Sequence, residues 1–563
     1  MPKMTGARFI AETLHGYGLS TIFWMPAIIK PGIMEMERVG MRRVLCHSEK
    51  AAAYMADGYA RASRRPAVAM SQSVGAANLA AGLQDAFLAG SPVIAITGAQ
   101  RANERHRHAY QEIHSFPLFE PITKYNSRVD TVEQLPFELR QAFRSATTGA
   151  PGPVHIELPG LQGEFAADAE ADLQVVVEEA FTRCPAFRPE PEPARVREAV
   201  RLLVEAKRPV ILAGGGAVIS DAGPEIAQLA AALGIPVATS LNAKRVIPGN
   251  HPLLVGVAGT YSRTCANRTL AEADLVLIVG SHTGDQVTDM WTLPRAGATV
   301  IQIDIDPAEL GRTFPATVPL VGDAKATLKQ IIDALGKVSP RSDWPAQVRK
   351  WVNEWRAEYE PLLTSDAIPM RPERICRELQ EALPPDALLI SDTGHAGGWT
   401  GTMIDLNHPE QRYLRCAGSL GWAFPAALGA KCALPDRPVV CFTGDGGFWY
   451  HLAEMETAVR CGINTVTVIN NNRSLNQDRP GVDRAYVRYR FPEGNSRAAW
   501  VYEDVDFAGL AQRLGCFAIR VTHADKIQDA IAQALESEKP AIVDVVSDME
   551  AYAPWTRRPV VPS

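Results

Sequence analysis

Short apolar runs alternate along this chain with Ala/Leu-rich stretches of helical period. The clearest runs are PAVAMSQS, SPVIAITG, RPVILAGGG, ADLVLIVGS, TVIQIDID, DALLISDTG, RPVVCFTGDG and NTVTVINNN. Each ends in Gly, Ser, Asp or Asn, where a buried parallel strand would reach its carboxyl edge. Strands alternating with helices predict βαβ units and an α/β fold of doubly wound parallel sheets. Two stretches break the pattern. One runs from about Gly163 to Pro193 and is acidic, then proline-rich. The other runs from about Val338 to Pro372 and carries Trp344, Trp351 and Trp355 on a charged helix. Both read as inter-domain connections, the second helical and packed rather than flexible. Three α/β domains follow, at 1–165, about 190–337 and about 370–550, with a tail holding Pro554, Pro559 and Pro562 as a candidate flap.

Composition narrows the function without naming it. A length of 563 residues is too great for one core. The formal net charge of −6 argues against a dedicated nucleic-acid binder. The nine cysteines are scattered, with no C-x-x-C pair, so neither a zinc site nor a disulfide framework is expected. Free thiols suggest a reducing, cytoplasmic setting. The opening segment MPKMTGARFIAETLHGYG reads as an amphipathic helix without the apolar core of a signal peptide, and no apolar run is long enough to span a membrane.

The strand ends hold the candidate chemistry, because ligands of open α/β sheets bind beyond the carboxyl ends of strands. In GDGGFWYHLAEMETAVRCGINTVTVINNN, 24 residues separate Gly446 from Asn471. That interval fits one helix and one strand. It places Asp445 and Asn472 on successive loops at one sheet edge. Oxygen ligands of this kind suit Mg²⁺ shared with a phosphate, and a helix N-terminus between them would receive the anion. Read singly, Asp445 is an N-cap in a βα turn and the asparagines close a strand. Glu49, in VLCHSEKAAAYMADGYAR, read singly is a first-turn helix glutamate.

These segments, with SDTGHAGGW and RCAGSLGWAFPAALGAK, resemble the thiamine-diphosphate (ThDP)-dependent decarboxylase and acetolactate-synthase superfamily along nearly the whole chain. The resemblance implies a pyrimidine-binding domain, a central domain and a diphosphate-binding domain, in that order. It implies ThDP and Mg²⁺ as cofactors, with Gly444, Asp445, Gly446 and Gly447 in the diphosphate loop. Asp445, Asn472 and the backbone carbonyl of Ser474 would hold the metal. Gly394, His395 and Ala396 fall where the family binds the diphosphate. Gly418 falls where a carbonyl meets the aminopyrimidine, and Leu420 where an apolar residue props the cofactor in its bent form. Glu49 falls where a glutamate of raised pKa activates the pyrimidine ring of a cofactor held by the opposite subunit. That implies a homodimer, or a homotetramer built from it. Asn78 aligns with a loop asparagine of the family.

Tyr110-Gln111-Glu112 resembles the Phe-Gln-Glu segment of acetolactate synthases, with Gln111 facing the reacting carbon and Lys124 near the substrate channel. Carboligation of a 2-oxo acid such as pyruvate, through an enamine, is the leading expectation. Simple decarboxylation or C–C lysis is second, and a flavin-linked oxidase third. A catalytically altered ThDP-binding homologue is the alternative of another class.

Two departures bear on substrate and flavin. IFWMPAIIKPG carries Ala27 and Ile28 where the family has glycines, so those side chains, with Trp24 and Met25, are expected to narrow the pocket. In the central domain AGGGAVIS, IDIDPAEL and VGSHTGDQVTD follow the family's FAD pattern. However, its arginines are replaced around His282 and Gln286, and GTYS stands at Gly259. A central domain without FAD is favoured over a flavin site. The basic loop RANERHRHAY (Arg101, Arg105, His106, Arg107, His108), with His114 beyond it, reads equally as a steering surface for an acidic substrate, a solvated loop or a dimer contact.

Overall fold

The structure, a computed structural model, describes residues 3–491 and 493–554. Pro559 and Pro562 of the expected flap lie outside the described residues. The alternating pattern folds as three six-stranded sheets, each parallel throughout and flanked by helices. In spatial order the first sheet runs Arg42–Leu45, Thr21–Trp24, Ala67–Ser71, Val93–Ala99, Val154–Pro159 and Tyr125–Arg128. The second runs Leu254–Val257, Val237–Thr239, Pro209–Ala213, Leu275–Val279, Thr299–Asp304 and Val318–Val321. The third runs Arg412–Arg415, Leu388–Ser391, Val439–Gly444, Val466–Asn471, Ala541–Val546 and Phe517–Val521.

In each sheet the chain reverses its direction of growth next to the founding strand. The resulting switch points are the crevices where such sheets take ligands. In the third sheet the crevice lies between Leu388–Ser391 and Val439–Gly444, so Asp392 and Asp445 leave adjacent strands at the same edge.

The first and third domains share one hydrophobic core, built around the helices Glu49–Ser63 and Ala423–Ala433. Small residues let these helices approach backbone to backbone. A Cβ at Gly58 would lie 2.0 Å from the Ala426 carbonyl oxygen, and one at Gly429 would lie 1.8 Å from that of Met55. Ser48 caps the first helix by accepting the Ala51 N–H at 3.2 Å. The Trp422 indole N–H donates to buried Asp57 at 2.8 Å and ties the pair.

The two pattern breaks resolve differently. The Asp343–Leu363 helix buries Trp344, Trp351 and Trp355 in a core shared by the central and third domains. The stretch after Gly163 is more than a connection: Glu170–Asp172 pairs antiparallel with Lys3–Thr5, placing Asp172 opposite Lys3. Its single buried residue, Ala171, between exposed acids gave too short an alternation to be read as a strand. All nine cysteines are free thiols, eight of them buried. Among the described residues no helix is long and apolar enough to cross a membrane.

Candidate active site

Register builds the first corner of the site. Val439–Gly444 lies beside Val466–Asn471, with Gly444 opposite Asn470. Asp445 and Asn472 therefore emerge together, and both are buried. Burial pushes the Asp445 carboxyl up to about 7, against hydrogen bonds from its own turn and from the backbone N–H groups of Ser474 and Asn472. The Ser474 N–H and hydroxyl donate to Asn472 Oδ1 at 3.1 and 3.0 Å. Asp445, Asn472 and Ser474 thus meet at one buried point. Among the described residues no group of three or more His, Cys, Asp or Glu side chains forms a metal site. A single carboxylate with amide and backbone oxygens suits a hard cation whose remaining ligands come from an anion. Asn471, by contrast, is spent on structure: its Nδ2 donates to Asp544 at 2.9 Å and to the Val505 carbonyl at 3.1 Å.

The neighbouring strand end supplies the second wall. Gly394 takes φ +65°, ψ −144°, a conformation that favours glycine, and starts the helix at His395. His395 Nδ1 meets Asn476 Oδ1 at 2.8 Å. The amide nitrogen of Asn476 already donates to the Met549 and Ala551 carbonyls, so Nδ1 carries the proton. Nε2 of this buried ring has no partner among the described residues, and burial holds the imidazole down at about 4. Cβ atoms added at Gly418 and at Gly444 would meet nothing within 4 Å. Gly444, which faces open space next to Asp445, together with the unpartnered ring nitrogen at the neighbouring strand end, fits a bound diphosphate. Gly446 and Gly447 differ, because Leu475 and the Thr443 and Asp392 side chains close on them. Ala396 is buried in the helix after His395, and Leu420 is half-buried beside Gly418.

Two carboxylates that the sequence reading missed hold the loop between these walls. Asp392 accepts N–H groups from Thr393 (2.8 Å), Gly421 (3.1 Å) and Ala423 (3.3 Å), and the Thr443 hydroxyl (3.2 Å). Burial raises it to about 6 despite those donors. Asp85, on the helix Ala76–Ala89 of the first domain, accepts the N–H groups of Ala417 (2.8 Å), Gly418 (3.1 Å) and Ser419 (3.0 Å). The Asp of SDTG stood at a strand end and was legible in principle. No local signal marks Asp85.

In the first domain, Asn78 Nδ2 donates to Glu49 Oε2 at 3.1 Å. Gly75 packs against the same carboxylate, where a Cβ would lie 2.5 Å from Oε1. Gln111 takes φ +56°, and its carbonyl is held by Gln100 and, at 3.5 Å, by the Ser73 hydroxyl. Its Oε1 is buried without a partner among the described residues. Glu49, Asn78 and Gln111 are thus gathered by the Ser73–Gly75 turn. No hydrogen bond joins Glu49 to the Asp445 corner among the described residues.

Other candidates land elsewhere. Lys124 precedes the strand Tyr125–Arg128, at the amino edge of the sheet. Its ammonium donates to the Thr148 carbonyl at 2.6 Å, so it does not reach this cluster. Ile28 is fully buried in the core of the first domain and does not narrow a pocket. Ala27 itself takes φ +67°, the conformation for which glycine is better suited. Trp24 packs on the first-domain core and Met25 on the core shared with the third domain. The loop from Arg101 to His108 is pinned by Glu112, which accepts the N–H groups of His106 and of Ala109 (3.0 Å). In the central domain the glycine run is engaged by its neighbour: Gly214 N–H donates to Val279 at 2.8 Å and Gly216 N–H to Gly280 at 2.9 Å.

Comparison with known proteins bears on the whole chain. Models described as thiamine pyrophosphate enzyme N-terminal TPP binding domain, central domain and C-terminal TPP binding domain match residues 4–118, 196–331 and 392–545. A probable acetolactate synthase large subunit of Methanocaldococcus jannaschii is 34% identical, over 99% of this chain and 94% of its own length. The acetolactate synthase large subunit of Corynebacterium glutamicum is 31% identical, over 98% and 88%. The acetolactate synthase isozyme 2 large subunit of Escherichia coli is 31% identical, over 99% and 98%.

Proposed function

This chain belongs to the thiamine pyrophosphate enzymes, among relatives of acetolactate synthase large subunits, and we propose that it is a ThDP-dependent carboligase acting on a 2-oxo acid such as pyruvate. Bound ThDP would supply a carbon nucleophile and a sink for the electron pair left when CO₂ departs. The protein's part is to hold, orient and protonate. Asp445, Asn472 and the Ser474 carbonyl would hold Mg²⁺, turning a costly buried carboxylate into a paired one. Gly394, His395 and Ala396 would line the diphosphate, with the loop Gly444–Gly447 beneath it. The unpartnered Nε2 of His395 would face that group. Gly418 and Leu420, braced by Asp85, would fix the pyrimidine and the bend of the cofactor. Glu49, positioned by Asn78, would hydrogen-bond a pyrimidine nitrogen. Gln111, with its free Oε1, would orient the second carbonyl.

The observation that carries the reading is the meeting of Asp445, Asn472 and Ser474 beside Gly444, which faces open space. Its test is a 2-oxo acid panel with Mg²⁺ and ThDP, following CO₂ and ligated product together. CO₂ without ligated product from any pair would place the chain among simple decarboxylases. Glu49→Gln is expected to abolish turnover while the far-UV circular dichroism stays unchanged. Activity surviving that change on every accepted substrate would refute the role given to Glu49.

A homodimer belongs to the same reading, in which Glu49 serves the cofactor of the opposite subunit; among the described residues no hydrogen bond joins Glu49 to its own chain's Asp445 corner. Exposed Phe87, Leu88, Tyr110 and Ile113 offer apolar surface on the same domain. The free thiols support a reducing, cytoplasmic setting. Flavin is not part of the proposal: the glycine run that would receive its diphosphate is hydrogen-bonded to Val279 and Gly280 instead. A flavin absorbance band in purified protein would overturn that.

A further inference from the structure

We propose that the cleft where the three domains meet binds a phosphorylated organic anion of nucleotide size. It encloses about 480 Å³, within the range of ~300–1,000 Å³ common to small-molecule sites. Arg61 and Arg64 come from the end of the Glu49–Ser63 helix, Arg245 from the central domain and Arg412 from the edge strand of the third sheet. Four guanidinium groups thus line one cleft against two carboxylates, Asp221 and Glu410.

Those carboxylates are already engaged. Asp221 pairs with Arg64 at 3.1 Å and lies 3.6 Å from Lys325, and Glu410 lies 3.6 Å from Arg437. Arg61 stands over the Trp422 ring, 3.9 Å from Asp57. Arg245 and Arg412 have no carboxylate within 4.0 Å among the described residues. Arg245 donates to the carbonyls of His408 (2.8 Å) and Pro409 (3.0 Å), and Arg412 to that of Ala62 (3.4 Å). The Arg245 Nε is buried and unpartnered among the described residues. Burial, then the nearby Arg437 and Arg64, pull Arg412 below the usual guanidinium range. Arg245 and Arg412, held in one cleft with no carboxylate within 4.0 Å among the described residues and beside two paired arginines, are the arrangement that recognises phosphate.

Two further features shape the ligand. The eleven-residue helix Gly223–Leu233 begins at this wall, with Gly223 and Pro224 lining the cleft, and adds its positive end. Val218 and Tyr413 provide apolar surface for a sugar or base face. None of Gly214, Gly216 or Gly280 lines the cleft, so it is separate from the central domain's strand-end crevice. The Glu49–Ser63 helix runs 15 residues, about 22 Å, from Glu49 to the cleft. A ligand there would fix the far end of the element that carries the glutamate, giving the site a regulatory reach.

The test is calorimetric titration of the full chain, saturated with ThDP and Mg²⁺, at low ionic strength. The probes are ADP, ribose 5-phosphate and inorganic pyrophosphate. One site per chain is expected, tighter for ADP than for pyrophosphate. Arg412→Gln, at an exposed edge, and Arg245→Gln should each weaken binding at least tenfold, whereas Glu410→Gln should tighten it. An unchanged melting temperature for Arg412→Gln would show that the loss is local. No binding at millimolar concentrations, binding of pyrophosphate alone, or binding indifferent to both arginine changes would overturn the proposal.

Discussion

Asp85 joins two domains through one carboxylate, so Asp85→Asn tests how far the cofactor loop depends on the first domain. One oxygen accepts Ala417 N–H; the other accepts Gly418 and Ser419. A hydrogen bond to a charged group contributes about 1.5–3 kcal/mol. Asparagine retains one acceptor oxygen and, in its better orientation, keeps the pair from Gly418 and Ser419. It then turns an amide N–H₂ toward the Ala417 N–H. The loss is one charged bond, a weakening of two others and a donor facing a donor, together about 2–3 kcal/mol. Expressed as misplacement of Gly418–Leu420, that is roughly thirty- to 150-fold weaker ThDP binding. Titration of ThDP against intrinsic fluorescence at saturating Mg²⁺, well below the melting temperature, measures it. Thermal unfolding of the same sample separates loop effects from global loss. Wild-type ThDP affinity in a folded Asp85→Asn protein would refute the reasoning, because the carboxylate would then not be what shapes the loop.

Gly58→Ala and Gly429→Ala each place a methyl within 2.0 Å of a carbonyl oxygen across the helix pair. Each should cost about 3 kcal/mol or more, read as a lowered denaturant midpoint with the slope unchanged. Asp445→Asn should remove the charge that a cation needs, so ThDP binding should lose most of its response to added Mg²⁺ in a titration with and without EDTA. His155 is buried between the Thr97 hydroxyl and Asn126, and burial, with Arg128 nearby, lowers it to about 3. The unfolded chain takes up a proton near pH 6.5 and the folded chain does not, so this stability is whole above pH 6.5. It falls toward pH 3 by up to about 1.4 kcal/mol per pH unit. His395 and His451, both held at about 4, act in the same direction. Asp57 and Asp392, raised to about 6, act oppositely, losing stability as pH rises through that window. His155→Gln should therefore lessen, not abolish, the drop in melting temperature between pH 7 and pH 5. An undiminished drop would exclude His155 as a contributor.

What the sequence made legible was local. The Asp445–Asn472 interval spans one helix and one strand, so its geometry followed from spacing alone. The helix at Glu49 was legible because Ser48 caps it and small residues continue it. The braces were not legible. Asp85 and the loop that donates to it lie 332 or more residues apart, and a buried carboxylate in an Ala/Leu helix looks like any helix acid. The fate of Ile28 depended on its burial in the first-domain core, which the residues beside it do not show. Lys124 was misplaced for a topological reason. The sequence shows that a strand is near, but not that the residue stands at the amino edge, remote from the ligand side.

The helix pair Glu49–Ser63 and Ala423–Ala433 has a further consequence during synthesis. Asp57 and its partner Trp422 are 365 residues apart. At ~5–20 residues per second, the ribosome separates their appearance by roughly 18–73 s. For that time the nascent first domain presents an alanine-lined groove, and the Asp57 carboxylate within it, with nothing to cover them. A growing polysome therefore holds many copies of one sticky, unfinished face close together. Slow passage through the codons of the central domain prolongs that exposure, and a chaperone that shields small-residue grooves would shorten its effect.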